Sequence, residues 1–252
     1  MTNSSGIHRS LAVWLAGRIG FDAYGEMAER LAGEVAESDG RPPTLVLYEP
    51  APAITIGRAG SRIDVDLTDE ELQSRQLPIR FTGRGGGAVL HGPGQVGIAL
   101  FARLEDLGLG RHDVGGYLER FESALEGAVR ALRCGAARDS RAAGIFGRTG
   151  LLAAIGIAVR RGVVWHGGFL NVQPSSQPAH RVRSVPVAAG PGVRTMSAVE
   201  TDVQRRVRLQ DARTAIARQV ADSFGFPHMH IHAGFPVAVR ASSHSEPVSR
   251  VG

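Results

Sequence analysis

The chain has 252 residues, 43% of them hydrophobic and 21% charged, which suits one globular domain with short appendages and a sizeable core. A lone cysteine, Cys134, excludes an intrachain disulfide and carries no metal-ligand spacing, and no apolar run reaches the length of a membrane span. The net charge of +5 suits an acidic partner, and all 29 basic Lys+Arg residues are arginine. Only Arg160-Arg161 and Arg205-Arg206-Val207-Arg208 cluster, and no aromatic residues interleave to stack bases, so neither nucleic acid nor a membrane is expected as a partner. The segment Leu11 to Ala16 is too short for a secretory signal, so the cytoplasm is the expected location.

Taken in chain order, residues 1–10 read as an unstructured polar leader. Asp22 is positioned to cap a helix whose apolar stripe is Tyr24, Met27, Ala28, Leu31 and Val35, and Gly40-Arg41-Pro42-Pro43 ends it. Thr44 to Tyr48 and Ala53 to Ile56 read as strands, with Glu49 to Pro52 as the turn between them. A short helix near Thr68 to Ser74 and a strand at Pro78 to Thr82 lead into a glycine-rich stretch, Arg84-Gly85-Gly86-Gly87-Ala88-Val89-Leu90-His91-Gly92-Pro93-Gly94-Gln95. Gln95 to Phe101 reads as a buried strand. Asp113 is a plausible N-cap for a long helix with Val114, Tyr117, Leu118, Phe121, Leu125, Val129 and Leu132 on one face.

Four apolar segments follow, Gly144 to Phe146, Leu151 to Val159, Val163 to Trp165 and Phe169 to Val172, with Gly150 and Gly162 at junctions of an antiparallel meander. Gln173 to Arg194 reads as a loop, and Leu209, Ala212, Ile216 and Val220 mark a last helix. The domain is expected over residues 11–225, with 226–252 as a partly disordered C-terminal appendage. The glycine-rich stretch lacks the Lys-Ser/Thr ending of a phosphate loop and is followed by a strand, so no nucleotide cofactor is expected. His228, His230 and His232 alternate and share one face of a strand, but without carboxylates they read as a surface cluster and no metal is expected. Cys134, at the end of the long helix, reads as a buried structural thiol.

Five blocks in order carry a resemblance. Leu45-Val46-Leu47-Tyr48-Glu49-Pro50 leads to Ile54-Thr55-Ile56-Gly57-Arg58; the glycine-rich stretch supplies Arg84-Gly85-Gly86 and His91-Gly92-Pro93-Gly94-Gln95; then come Leu107-Gly108-Leu109-Gly110, Ala153-Ala154-Ile155-Gly156-Ile157 and His166-Gly167-Gly168-Phe169-Leu170-Asn171-Val172. Together they resemble the lipoyl(octanoyl) transferases, lipoate-protein ligase B type, of the biotin/lipoate transferase superfamily.

The resemblance implies an α+β fold, a mixed sheet with surrounding helices. It implies transfer of octanoyl from acyl carrier protein to a lysine of lipoyl domains in 2-oxoacid dehydrogenases or the glycine cleavage H protein, without a cofactor. The acidic character of those partners matches the positive charge. It also implies that Arg84, Gly85, Gly86, Gly87, Ala88, Val89, Leu90, His91, Ala154, Ile155, Gly156, Gly167, Gly168 and Phe169 bind the acyl group, with His91 structural or orienting and His166 and Asn171 as scaffold. The family's lysine falls on Leu151, and its acyl-accepting cysteine on Val187 or, aligned without a gap, on Val185. No catalytic residue of the family is therefore carried over. The alternative reading is a catalytically degenerate relative that binds an acyl chain, acyl carrier protein or a lipoyl domain without transfer.

Overall fold

The computed structural model describes residues 10–37, 41–139, 142–184 and 195–236. Residues 1–9 of the expected leader, the tail beyond Arg240, and both Val185 and Val187 lie outside them, while Ser10 of that leader opens the first strand. The fold is α+β. The main sheet has eight strands: β1 (Ser10–Ile19), β2 (Thr44–Pro50), β6 (Gln95–Arg103), β7 (Ala137–Asp139), β8 (Ala142–Phe146), β9 (Leu151–Arg160), β10 (Val163–Asn171) and β11 (His228–Ala233). Their spatial order is β11-β1-β2-β6-β10-β9-β8-β7. A small sheet of β3 (Ala53–Ile56), β4 (Ile79–Phe81) and β5 (Ala88–His91), in the order β4-β3-β5, sits apart from it.

Two layers of helix follow from the two apolar faces of the main sheet. Helices α3 (Val114–Ala131) and α5 (Leu209–Phe224) pack on one face, where Tyr117, Phe121, Ile216 and Val220 meet Leu45, Leu47, Ile98 and Leu100. The opposite face takes α1 (Phe21–Ala36), whose Tyr24, Met27, Leu31 and Val35 pack on Val46, Tyr48, Ala99 and Phe101. Alternate residues of β2 and β6 thus feed opposite cores, the period of two that a doubly covered strand requires. The small sheet buries Ile54, Ile56, Ala88 and Leu90 against Leu72 of α2 (Asp69–Ser74), whose N-cap Thr68 and Glu71 form a reciprocal capping box. The short α4 (Val199–Val203) precedes α5.

Several expectations change. Gly20 is the N-cap of α1, with no side-chain cap bond, and Asp22 lies inside the first turn. β2 and β3 do not form a hairpin: the Pro50-Ala51-Pro52 segment carries the chain from one sheet to the other. β10 is one strand from Val163 to Asn171, because Gly167 and Gly168 keep ladder pairing with β6 and β9. The first strand, β1, was unsignalled, since its residues do not alternate in polarity. The expected appendage is, over His228–Ala233, an edge strand parallel to β1, with His228 opposite Ser10 and His232 opposite Trp14. The ring of His232 stacks on Trp14 at 4.6 Å, and among the described residues no group of three His, Cys, Asp or Glu gathers for a metal. No helix among the described residues is long and apolar enough to cross a membrane.

The two sheets are tied by a buried chain of side chains. Asn171 at the end of β10 donates from Nδ2 to the Leu151 carbonyl, 3.4 Å, and accepts at Oδ1 from Gln95 Nε2, 2.7 Å. Gln95 Nε2 also donates to the Leu90 carbonyl, 3.1 Å. Gln95 Oε1 meets His91 Nδ1 at 2.8 Å, and His91 Nε2 meets Thr55 Oγ1 at 2.7 Å. Thr55 Oγ1 in turn accepts from Arg84 Nη2, 2.8 Å. Carbonyls accept only, so both amides point their nitrogens toward them, which leaves Gln95 Oε1 to accept from His91. His91 therefore carries a proton on Nδ1, and because burial keeps the ring neutral the Thr55 hydroxyl donates to Nε2. Burial drives the His91 pKa from its ordinary 6.5 down to about 3, opposed by the Gln95 bond and reinforced by the Arg84 charge.

Two outcomes follow from this chain. Gln95→Leu leaves the His91 N–H and the Leu90 carbonyl without partners, and denaturant melts are expected to show a loss of about 2–3 kcal/mol. Below pH 6.5 an unfolded His91 takes up a proton that the folded one refuses until about pH 3. Its contribution is complete above 6.5 and is lost as pH falls toward 3, with a slope of up to about 1.4 kcal/mol per pH unit. In His91→Gln, stability curves measured from pH 7 to 4 should be shallower by about one bound proton; equal slopes would refute the neutral buried histidine.

Candidate functional site

Arg84 is the centre of the site. It is 4% exposed, and its guanidinium donates from Nη1 to the Gly85 carbonyl (2.8 Å) and from Nη2 to the Thr55 carbonyl (3.0 Å), Thr55 Oγ1 and the Gly87 carbonyl (3.1 Å). All of these acceptors are neutral. No carboxylate among the described residues pairs with it, and segment 185–194, Val-Pro-Val-Ala-Ala-Gly-Pro-Gly-Val-Arg, contains no acid. Burial pulls its pKa down from 12.5 to about 10, so at neutral pH it remains a buried cation with no carboxylate partner among the described residues.

The loop around it is held by close backbone approach. Gly86 adopts a φ of +79°, and a Cβ there would stand 3.0 Å from the Ile155 carbonyl. Gly85 N–H donates to the Ile157 carbonyl, 2.8 Å, and the backbone of Gly57 and Ala59 bonds to the Gly87 and Gly86 carbonyls. A Cβ on Gly156 would meet the Gly85 carbonyl at 2.5 Å. The glycine-rich loop therefore lies flat on β9, beside Arg84.

Two cavities share Arg84 as a wall. The first, about 280 Å³, lies between α1, the main sheet and the small sheet, and is lined mainly by Tyr24, Tyr48, His91, Trp165, His166 and Phe169. Its aromatic walls interlock: Tyr24 stacks on Tyr48 at 5.0 Å, and Phe169 meets His91 at 4.3 Å. Tyr24 Oη shares a hydrogen bond with His166 Nδ1, 3.0 Å. Trp165 and His166 are consecutive on β10 yet both line this cavity, which strict alternation forbids. The break is at His166, whose φ is +62°, a conformation costing about 1–3 kcal/mol in a non-glycine residue. Burial lowers the His166 pKa to about 4 and raises those of Tyr24 and Tyr48, so all three are neutral at physiological pH.

The second cavity, about 180 Å³, is bounded by Gly86, Gly87 and Val89 of the loop, Ala142 and Ala143 of β8, Leu151, Ala154 and Ile155 of β9, and Ser184. Its side chains are apolar apart from Arg84 and Ser184, with backbone polar groups, among them those of Gly86 and Gly87, supplying part of the wall.

The residues singled out from sequence divide by strand alternation. Val89 and His91 face the cavities, while Ala88 and Leu90 turn into the small-sheet core. Arg84, Gly86, Gly87, Ala154, Ile155 and Phe169 line one cavity or both. Gly85 and Gly156 support the loop. Gly167 and Gly168 turn the other way: a Cβ on either would approach Phe121 of α3, at 3.1 and 3.5 Å. His91 is satisfied by side chains, not by the backbone partners expected of a core histidine. Leu151, expected at the place of the family's lysine, is 1% exposed and its backbone pairs with Thr195 and Ser197. Cys134 is buried in the core under α3 with its Sγ 3.7 Å from Asp202 Oδ2, and burial together with that carboxylate raises its pKa to about 11. Sequence reasoning missed Tyr24, Tyr48, Trp165 and Ser184 as wall residues. Tyr24 and Trp165 served there only as apolar positions and Tyr48 only as part of a strand and motif block, and nothing in the local sequence distinguishes Ser184.

Comparison with known proteins fits this geometry. The profile of the lipoyl protein ligase A/B catalytic domain matches residues 26–221. An octanoyltransferase of Geobacter metallireducens is 34% identical over 202 residues, 80% of this chain and 87% of its own. One from Geotalea uraniireducens is 32% identical over 201 residues, 79% and 86% of the two chains. Among solved structures, a bi-partite lipoate protein ligase from Thermoplasma acidophilum superimposes with a TM-score of 0.68 at 16% identity, covering 90% of this chain and 87% of that one, a likeness of fold. With a catalytic-domain profile spanning most of its length and octanoyltransferase relatives above 30% identity, this chain belongs to the lipoyl protein ligase A/B catalytic domain family, on its octanoyltransferase branch.

Proposed function

We propose that the Arg84 cavities hold an octanoyl group delivered by acyl carrier protein in the cytoplasm, for transfer to a lysine of a lipoyl domain. The observation that carries this reading is the pair of apolar-walled cavities meeting at one buried guanidinium. Their volumes, about 280 and 180 Å³, suit a slender aliphatic chain better than a ligand filling the roughly 300–1,000 Å³ of a drug-sized pocket. The net charge of +5 favours approach of acidic carrier domains.

Transfer here runs without an acyl-enzyme. A covalent intermediate needs an activated nucleophile, and a thiol with a pKa near 11 is almost wholly protonated at neutral pH. Cys134 lies in the α3–α5 core, and neither cavity includes it. The incoming lysine amine attacks the thioester carbonyl directly: the amide C–N bond forms, the C–S bond breaks, and the amine proton leaves with the thiol. Holding both partners in line is worth up to about 7–11 kcal/mol in ideal cases.

A second reading, acyl binding without transfer, is favoured by one observation. The wall position where the family places its lysine is the aliphatic Leu151, and the chain has no lysine to substitute.

Incubating the protein with octanoyl-acyl carrier protein and a lipoyl domain, followed by intact mass, separates these. Octanoylation of the lipoyl domain that survives Cys134→Ser, with no adduct on the chain itself, is the expected result. A chain adduct abolished by Cys134→Ser would overturn the direct-attack mechanism. Retention of the octanoyl ligand with no lipoyl-domain product would establish the second reading.

A further inference from the structure

A third cavity, of about 270 Å³, shares no wall residue with the two that meet at Arg84. Leu90 lines it and Val89 lines the smaller Arg84 cavity, so those two cavities lie on opposite faces of β5. The turn at Gly92 and Pro93, the end of β10 and the segment before α4 complete it. Gln95, Asn171, Gln173, Gln177, Ser197 and Thr201 bring amides and hydroxyls to its wall, and no arginine, aspartate or glutamate lines it.

Such a wall selects by elimination. Without a charged side chain it has nothing to offset the desolvation of a phosphate, carboxylate or ammonium group, and an aliphatic chain would leave its polar groups unpaired. Its ligand is therefore neutral and carries hydrogen-bonding groups along its length. Gln95 and Asn171 form a fixed part of the wall, since the relay already binds their amides. The Gln173 side chain is free to answer a ligand, because its one bond among the described residues is a long 3.5 Å contact from Nε2 to the Val207 carbonyl. Met196 stands between this cavity and the smaller Arg84 cavity. It lines the former, packs against the cluster of Val89, Leu151 and Ala154 that walls the latter, and bridges to Leu151 through its backbone. An unbranched, half-buried methionine shifts its rotamer readily.

We propose that the third cavity receives the arm on which a donor's acyl thioester is carried, a neutral chain of amides and a hydroxyl such as pantetheine, with its sulfur end directed past Met196 toward the acyl group. The inference rests on the reading that the Arg84 cavities hold that acyl group. It adds a separate subsite for the carrier's arm, built from residues that the family resemblance did not assign to binding.

The test is calorimetric titration of the full chain with S-octanoylpantetheine, with S-octanoyl-N-acetylcysteamine, which keeps only the first amide of the arm, and with pantetheine itself. The longer ester is expected to bind about tenfold more tightly than the shorter, as one or two added hydrogen bonds warrant. Gln173→Ala retains the Cβ that lies against Gly94, so it should leave the melting temperature and the shorter ester's affinity unchanged while cutting the ratio several-fold. Thr201→Val, of equal shape, should act in the same direction by a smaller factor. Equal affinity for the two esters, or a ratio that survives both substitutions together, overturns the arm site while the acyl-pocket reading stands. Equal binding of pantetheine and its octanoyl ester, with none of the shorter ester, supports the arm site and overturns the acyl pocket. Failure of all three ligands to bind overturns both.

Discussion

Everything at the site depends on the direction of one buried hydrogen-bond chain. It begins at a donor that cannot accept, the Arg84 guanidinium, and ends at acceptors that cannot donate, the Leu90 and Leu151 carbonyls. Between them Thr55, His91, Gln95 and Asn171 must all point the same way. The two fixed ends, with burial holding the His91 ring neutral, leave it one tautomer, and each of the four side chains between them has its partners. A half-satisfied network in this position would cost more than an apolar one. The chain also crosses from the small sheet, through Thr55 and His91, to the main sheet, through Gln95 and Asn171, so the gap holding the cavities is set by polar bonds of fixed length.

Polar rigidity on one side permits strain and uncompensated charge on the other. His166 keeps a positive φ so that two successive residues of β10 serve one wall, and Tyr24 of α1 holds its ring through a 3.0 Å bond. Arg84 is kept buried by four neutral acceptors, an arrangement that positions the cation without neutralising it. The glycine loop is the reason this can happen at all, since its carbonyls reach the guanidinium only because the loop lies directly on β9.

Much of the fold was legible in the sequence. The helix stripes of α1, α3 and α5 and the capping residues Thr68 and Asp113 carry strong local signals, and the structure uses them nearly as spaced. The illegible parts depend on partners distant in sequence. β1 and β11 pair with each other at opposite ends of the chain: β1 shows no alternation of polarity, and the alternation of His228, His230 and His232 in β11 gives no sign that its partner is the first strand. β2 and β3 look like a hairpin because their separation is short, yet they belong to different sheets. At the site, the glycine-rich block and Phe169 announce themselves by motif. Gly167 and Gly168 belong to the same motif but serve packing against α3, and Ser184 becomes visible only when its neighbours are assembled. A motif identifies the segment; alternation decides which of its residues face the ligand.

Leu151 gives the smaller cavity an aliphatic wall, and the single thiol, Cys134, lies in the core and lines neither cavity. Arg84, fixed by the relay, is left as the cation between the two cavities. Nitrogen-15 NMR of the imidazole of His91 tests that arrangement most directly. A neutral ring protonated at Nδ1 and bare at Nε2 is the expected result from pH 5 to pH 8. A ring protonated at Nε2, or an imidazolium within that range, would reverse the relay and contradict the placement of Arg84 on which the site depends.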